Sequence, residues 1–89
     1  MINRNVRYEK QYVRVVAELG ADGRITPMYL LWPDGRRFDI DEVLETGFSS
    51  SSKTGSSGVR YSVKIAGQRK IIWRDGRGFF VECPRQKPF

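Results

Sequence analysis

Apolar and polar residues alternate with a period of two along most of this chain. Val13, Val15, Ala17 and Leu19 interleave with Tyr12, Arg14, Val16 and Glu18. Val59, Tyr61, Val63 and Ile65 interleave with Arg60, Ser62 and Lys64. Ile71 and Trp73 interleave with Lys70, Ile72 and Arg74, and Phe79, Val81 and Cys83 with Phe80 and Glu82. Successive side chains of a strand point to opposite faces, so this beat signals strands with one buried face. Three Asp-Gly pairs, Asp22-Gly23, Asp34-Gly35 and Asp75-Gly76, punctuate the runs. Asp-Gly is a strong hairpin signal because both residues tolerate positive φ. A fourth turn falls at Ala66-Gly67-Gln68 and is read as a three-residue loop. Together these predict strands at roughly 11–19, 24–32, 36–45, 59–65, 69–74 and 79–83.

Pro27 places the start of the second run on a sheet edge or at a bulge, because it has no N–H to donate to a ladder. Between Asp39 and Glu45 two readings stand. Ile40, Val43 and Leu44 fit one face of a short helix capped by Asp39. The same residues fit the third strand continuing through a bulge, which is favoured because so short a helix is weak alone. Residues 46–58 hold six Ser and three Gly and predict a flexible loop, most mobile over 49–58. The expected fold is all-β: a small antiparallel barrel of five or six strands, SH3-like or partly open, with at most one short helix. Trp32, Phe38, Tyr61 and Trp73 would give bulk to its core. The 89 residues suit a single domain over 11–83, with polar tails at 1–10 and 84–89.

Composition narrows the chemistry. There is no His, which removes Ser-His-Asp and Cys-His catalysis and His-ligated metals. Cys83 is the only cysteine, so no intrachain disulfide and no Cys-rich metal site can form. On the apolar beat of its strand it reads as a small buried hydrophobe rather than a reactive thiol. The polar start of the chain lacks a signal-peptide pattern, and the longest apolar run, Met28 to Trp32, is far short of a membrane span. The expectation is a cytoplasmic protein, not membrane-bound, with no cofactor, no metal and no catalytic residue. The segment from Gly47 to Thr54 partly imitates a phosphate-binding P-loop. Ser52 replaces its second Gly, though, and the Gly/Ser run that follows cannot open the helix such a loop needs. A weaker contact of Lys53 and nearby backbone amides with phosphate stays open. The acidic run Asp39, Asp41, Glu42 and Glu45 reads as a solvated edge that discourages edge-to-edge pairing.

Charge is distributed unevenly. Residues 1–52 carry seven basic and eight acidic side chains; residues 53–89 carry nine basic and two acidic, which accounts for the net charge of +6. With a three-residue turn at 66–68, Tyr61 would face Trp73 and Val63 would face Ile71 on the inner side. Lys64 would then face Lys70, and Arg60 would face Arg74, on the outer side. Like charges placed opposite one another are destabilising, so such a face suggests an anionic partner. The candidate anion- or nucleic-acid-binding residues are Lys53, Arg60, Lys64, Arg69, Lys70 and Arg74, with Tyr12, Tyr29 or Phe80 as aromatics that could stack on bases. The competing reading is that these cations only solubilise a twisted sheet.

One family likeness is carried by Gly23-Arg24-Ile25-Thr26-Pro27, by the stretch from Leu30-Leu31-Trp32-Pro33-Asp34-Gly35 through Leu44, by the Gly-rich loop from Lys53 into Arg60-Tyr61, and by Phe79-Phe80-Val81-Glu82. Across about residues 8–82 the chain resembles a family of short uncharacterised proteins from clostridia and related Firmicutes. More distantly it resembles small domains associated with Y-family translesion DNA polymerases. The family's last strand usually places Trp beside Phe, where this chain has Phe79-Phe80, a packing substitution. The likeness implies an accessory role in DNA damage tolerance and carries over no catalytic residue. The sequence thus leads to a non-enzymatic binding module that contacts nucleic acid through the 59–74 hairpin. The alternative is a protein-interaction module offering a sheet edge, or the same basic face, to an acidic partner.

Overall fold

The computed structural model describes residues 7–84. It contains seven strands and, among the described residues, no helix: β1 (Tyr8–Leu19), β2 (Ile25–Leu31), β3 (Arg37–Asp39), β4 (Glu42–Ser50), β5 (Ser57–Ile65), β6 (Gln68–Asp75) and β7 (Gly78–Pro84). They form one antiparallel sheet in the order β3-β2-β1-β7-β6-β5-β4. The sheet curls because β1 belongs to two leaves. Its first half, Tyr8 to Val13, pairs with β7, and its second half, Arg14 to Leu19, pairs with β2. The two ends of the sheet meet where the chain passes from β3 to β4. The Ile40 N–H donates to the Met28 carbonyl at 3.0 Å, and the Asp41 N–H donates to the Lys64 carbonyl at 2.8 Å. The result is a partly open barrel.

The local features follow from the residues. Pro27 lies in β2 beside a bulge: Val16 pairs with Tyr29 and Ala17 with Pro27, so Met28 is the extra residue. The segment 36–45 is two strands, not one. The chain turns at Ile40-Asp41, and β4 carries a bulge between Val43 and Glu45. The strand reading of this segment is therefore the right one, and the strand count rises to seven. Ser50 closes β4 and Ser57 opens β5, leaving a connection of only six residues, 51–56. β1 begins at Tyr8, inside the stretch expected as tail; the outer parts of both expected tails, 1–6 and 85–89, lie outside the described residues.

The inner face holds Leu30, Tyr61, Val63, Ile65, Ile72, Val81 and Cys83, with Val13, Val15, Trp32, Phe38, Val43 and Phe79 packed around them. Each fully buried aliphatic side chain contributes about 1.5–3 kcal/mol. Burial pushes the Cys83 thiol pKa up, with the Lys70 ammonium offsetting part of the effect, so the sulfur behaves as a core atom. The Tyr61 hydroxyl donates to the Ile25 carbonyl and accepts from Arg74 Nε, both at 3.1 Å.

The β5–β6 register differs by one residue from the sequence expectation. Tyr61 pairs with Ile72, Val63 with Lys70, Lys64 with Arg69, and Arg60 with Trp73. The turn is two residues, Ala66 (φ 51°) and Gly67 (φ 76°), rather than three. Both central residues of such a turn need positive φ, which costs a non-glycine residue about 1–2 kcal/mol. The Asp41 carboxylate supports Ala66 there by accepting its N–H at 3.1 Å. A slip of one residue exchanges faces, so Tyr61 and Trp73 lie on opposite sides of the sheet.

Both sides are buried. On the outer side Trp73 stacks on Phe80 with centroids 6.1 Å apart, and Tyr12 tilts against Phe80 at 5.4 Å. Phe80 and Trp73 are as buried as the inner core. Lys10 Nζ lies 4.3 Å over the Phe80 ring and 3.2 Å from Asp75, which also accepts the Tyr12 hydroxyl at 2.6 Å.

Candidate functional site

The outer face of β5 and β6 presents Arg60, Ser62 and Lys64 beside Arg69, Ile71 and Trp73. The connection 51–56 folds against this face, and its anchor is Glu82 of β7. The Ser51 and Thr54 hydroxyls both donate to Glu82 Oε2, the latter at 2.6 Å. Ser51 Oγ also accepts the Lys53 N–H at 3.1 Å, and the Ser51 N–H donates to the Ser56 carbonyl at 2.7 Å. Ser51 is buried. The Ser- and Gly-rich segment thus has a polar anchor, which composition could not reveal because its partner lies 31 residues away.

Loop and sheet together bound a cleft of about 500 Å³. Its lining includes Ser52, Lys53, Arg60, Arg69 and Trp73. Lys53 Nζ stands 4.6 Å over the Tyr8 ring, which holds the ammonium at the rim. Arg69 Nε donates to Ser62 Oγ at 2.7 Å, and its terminal nitrogen lies 3.7 Å from Glu45. Half-buried Arg60 has no ion pair or side-chain hydrogen bond among the described residues. Trp73 is 3% exposed, and its indole N–H has no acceptor among the described residues. Most buried polar groups are hydrogen-bonded, so a buried orphan donor calls for an explanation.

The six candidate cations divide between two faces. Lys53, Arg60, Lys64 and Arg69 lie on the outer side, with Lys64 flanked by Glu42 on β4 and by Arg69, a like charge, on β6. Lys70 pairs with Val63, and Arg74 donates to Tyr61 from the inner side. The like-charge pairs Lys64–Lys70 and Arg60–Arg74 do not form. The proposed stacking aromatics are also occupied: Phe80 is fully buried, Tyr12 packs on it, and Tyr29 carries the Arg37 guanidinium 3.6 Å above its ring. Among the described residues the exposed aromatic is Phe48, 78% exposed on the end strand β4. The Ser-rich composition around it, and its place on a segment expected to be loop, hid it.

The acidic run does structural work. Asp39 pairs with Arg37 at 2.7 Å, Asp41 supports the β5–β6 turn and Glu45 faces Arg69. Among the described residues no group of three or more acidic or Cys side chains is placed to hold a metal ion, and no helix is long and apolar enough to cross a membrane. No protein-family model, curated protein or solved structure matches the chain.

Proposed function

We propose that this protein is a non-enzymatic binding module that contacts the phosphates of nucleic acid through the outer face of β5 and β6. The observation that carries this reading is Arg60, a guanidinium without an anionic partner among the described residues, at a cleft shared with Lys53 and Arg69. Cations left unpaired at a concave surface attract phosphate and release its counterions. The net charge of +6 acts in the same direction at long range. The more distant likeness to small domains associated with Y-family polymerases supports DNA damage tolerance as the setting. Binding is micromolar or weaker, because one small face meets only a few phosphates.

The test is titration of labelled random-sequence oligonucleotides at about 50 mM salt, where exposed charges are weakly screened. Affinity should fall with salt with about one unit of logarithmic slope per phosphate neutralised. Reversing Lys53 and Arg60 together to Glu should abolish binding with the far-UV spectrum unchanged. No binding as protein approaches millimolar concentration overturns the reading. A second reading then takes its place, in which the free edge of β4, with Phe48 78% exposed, adds a strand from a partner protein.

A further inference from the structure

The cleft is more specific than a basic patch. It gathers two kinds of cationic donor around one space, the Lys53 ammonium and the guanidinium groups of Arg60 and Arg69, with the Trp73 ring in the wall. The exposed Ser52 hydroxyl adds a neutral donor. Its volume of about 500 Å³ lies in the range of sites that enclose a small ligand, about 300–1,000 Å³. One carboxylate, Glu82, also lines the space, but its Oε2 is already engaged by the Ser51 and Thr54 hydroxyls. Glu82 thus holds down the loop that carries Lys53, while the cations around the space are only partly neutralised.

We infer that this cleft is a phosphomonoester site, taking a terminal phosphate, whether on a nucleic-acid end or on a free mononucleotide. The inference rests on the reading of this face as phosphate-binding and narrows it to one form of phosphate. An internal diester carries one negative charge; a monoester carries about 1.5 to 2 at neutral pH and presents three acceptor oxygens. The extra charge and the third terminal oxygen let a monoester engage Lys53, Arg60 and Arg69 more strongly than a singly charged internal diester does. Charge-assisted bonds of this kind are roughly twice as strong as neutral ones.

Two Trp residues are present, so Trp32→Phe leaves Trp73 as the only indole reporter. In that background, titrate the same single-stranded oligonucleotide with a 5′-phosphate and with a 5′-hydroxyl, and separately adenosine monophosphate and adenosine. The 5′-phosphate should tighten binding by about tenfold or more and should change Trp73 emission, as should the mononucleotide but not the nucleoside. Lys53→Gln and Arg60→Gln should each reduce the 5′-phosphate preference, whereas Arg14→Gln, an exposed charge removed from another part of the sheet, should leave it intact. Equal affinity for both oligonucleotides with unchanged emission overturns the monoester site but leaves nucleic-acid binding standing. Binding of the mononucleotide alone, with an emission change, upholds the site and overturns the nucleic-acid reading. No binding of either oligonucleotide or of the mononucleotide overturns both.

Discussion

The inner and outer faces of β5–β7 each bury large side chains, but only the outer one also carries exposed cations, and the two are built from different chemistry. Inside, Val63, Ile72 and Val81 are fully buried among aliphatic neighbours, and the polar atom of their aromatic companion, the Tyr61 hydroxyl, has two hydrogen-bond partners. Outside, burial comes from the rings of Trp73, Phe80 and Tyr12 under the Lys10–Asp75 pair. There the corresponding polar atom, the Trp73 N–H, has no partner among the described residues, and Arg60 next to it has no anion among them. An unsatisfied buried donor costs about 1–3 kcal/mol. The inner face contains no such cost and serves stability. The outer face carries it, and beside it lies the cleft lined by Lys53, Arg60 and Arg69. Polar satisfaction distinguishes the two faces of this small barrel.

The largest expected effect tests whether the outer rings form a second core. Phe80→Ala should destabilise by about 3–5 kcal/mol in chemical denaturation, matching or exceeding Ile72→Ala at about 2–5 kcal/mol. A loss below about 1 kcal/mol for Phe80→Ala would reduce the outer cluster to surface decoration.

Tyr61→Phe sharpens the contrast in polar satisfaction. It strips the Ile25 carbonyl of a donor and Arg74 of an acceptor, and should cost about 1–3 kcal/mol. A neutral outcome would mean that the inner face satisfies these groups no better than the outer face does.

Acid should weaken the outer cluster through Asp75. The Tyr12 hydroxyl, the Arg77 N–H and the Lys10 ammonium hold its carboxyl at about 2, below the ordinary 3.8, with desolvation opposing them in part. A depressed carboxyl stabilises the fold above its unfolded value and loses that contribution as pH falls through the folded one. Wild-type thermal stability should therefore decline between about pH 4 and pH 2. Asp75→Asn should be less stable at pH 6 and flatter across that window. Identical pH profiles would remove Asp75 from the account.

The smallest stability effect belongs to the residue proposed to matter most for binding. Arg60→Gln should change unfolding free energy by no more than about 0.5 kcal/mol, because it breaks no ion pair, while weakening phosphate binding. Destabilisation well beyond this would make Arg60 part of the scaffold.

The free edge of β4 and the cleft show where sequence reasoning reached and where it stopped. Period-two alternation, the Asp-Gly turns and the bulge at Pro27 are local properties, so the all-β class, most strand positions and the strand character of 40–46 were legible from the residues alone. The cations Lys53, Arg60 and Arg69 were legible as a charge excess. Their arrangement was not. Register depends on whether the turn at Ala66 has two residues or three, and Ala66 accepts positive φ because Asp41, 25 residues away, takes its N–H. Alternation also presumes one buried face, whereas here Tyr61 and Trp73 are buried on opposite faces, so no shared side had to enforce their pairing. Glu82 ties a Ser-rich loop into a cleft wall through hydroxyl bonds that leave no hydropathy signal. Which segments became strands follows from neighbouring side chains and turns, and so could be read along the chain. Which cations share a face and which donor lacks a partner depends on contacts between residues far apart in the chain, and emerges only once the sheet has curled.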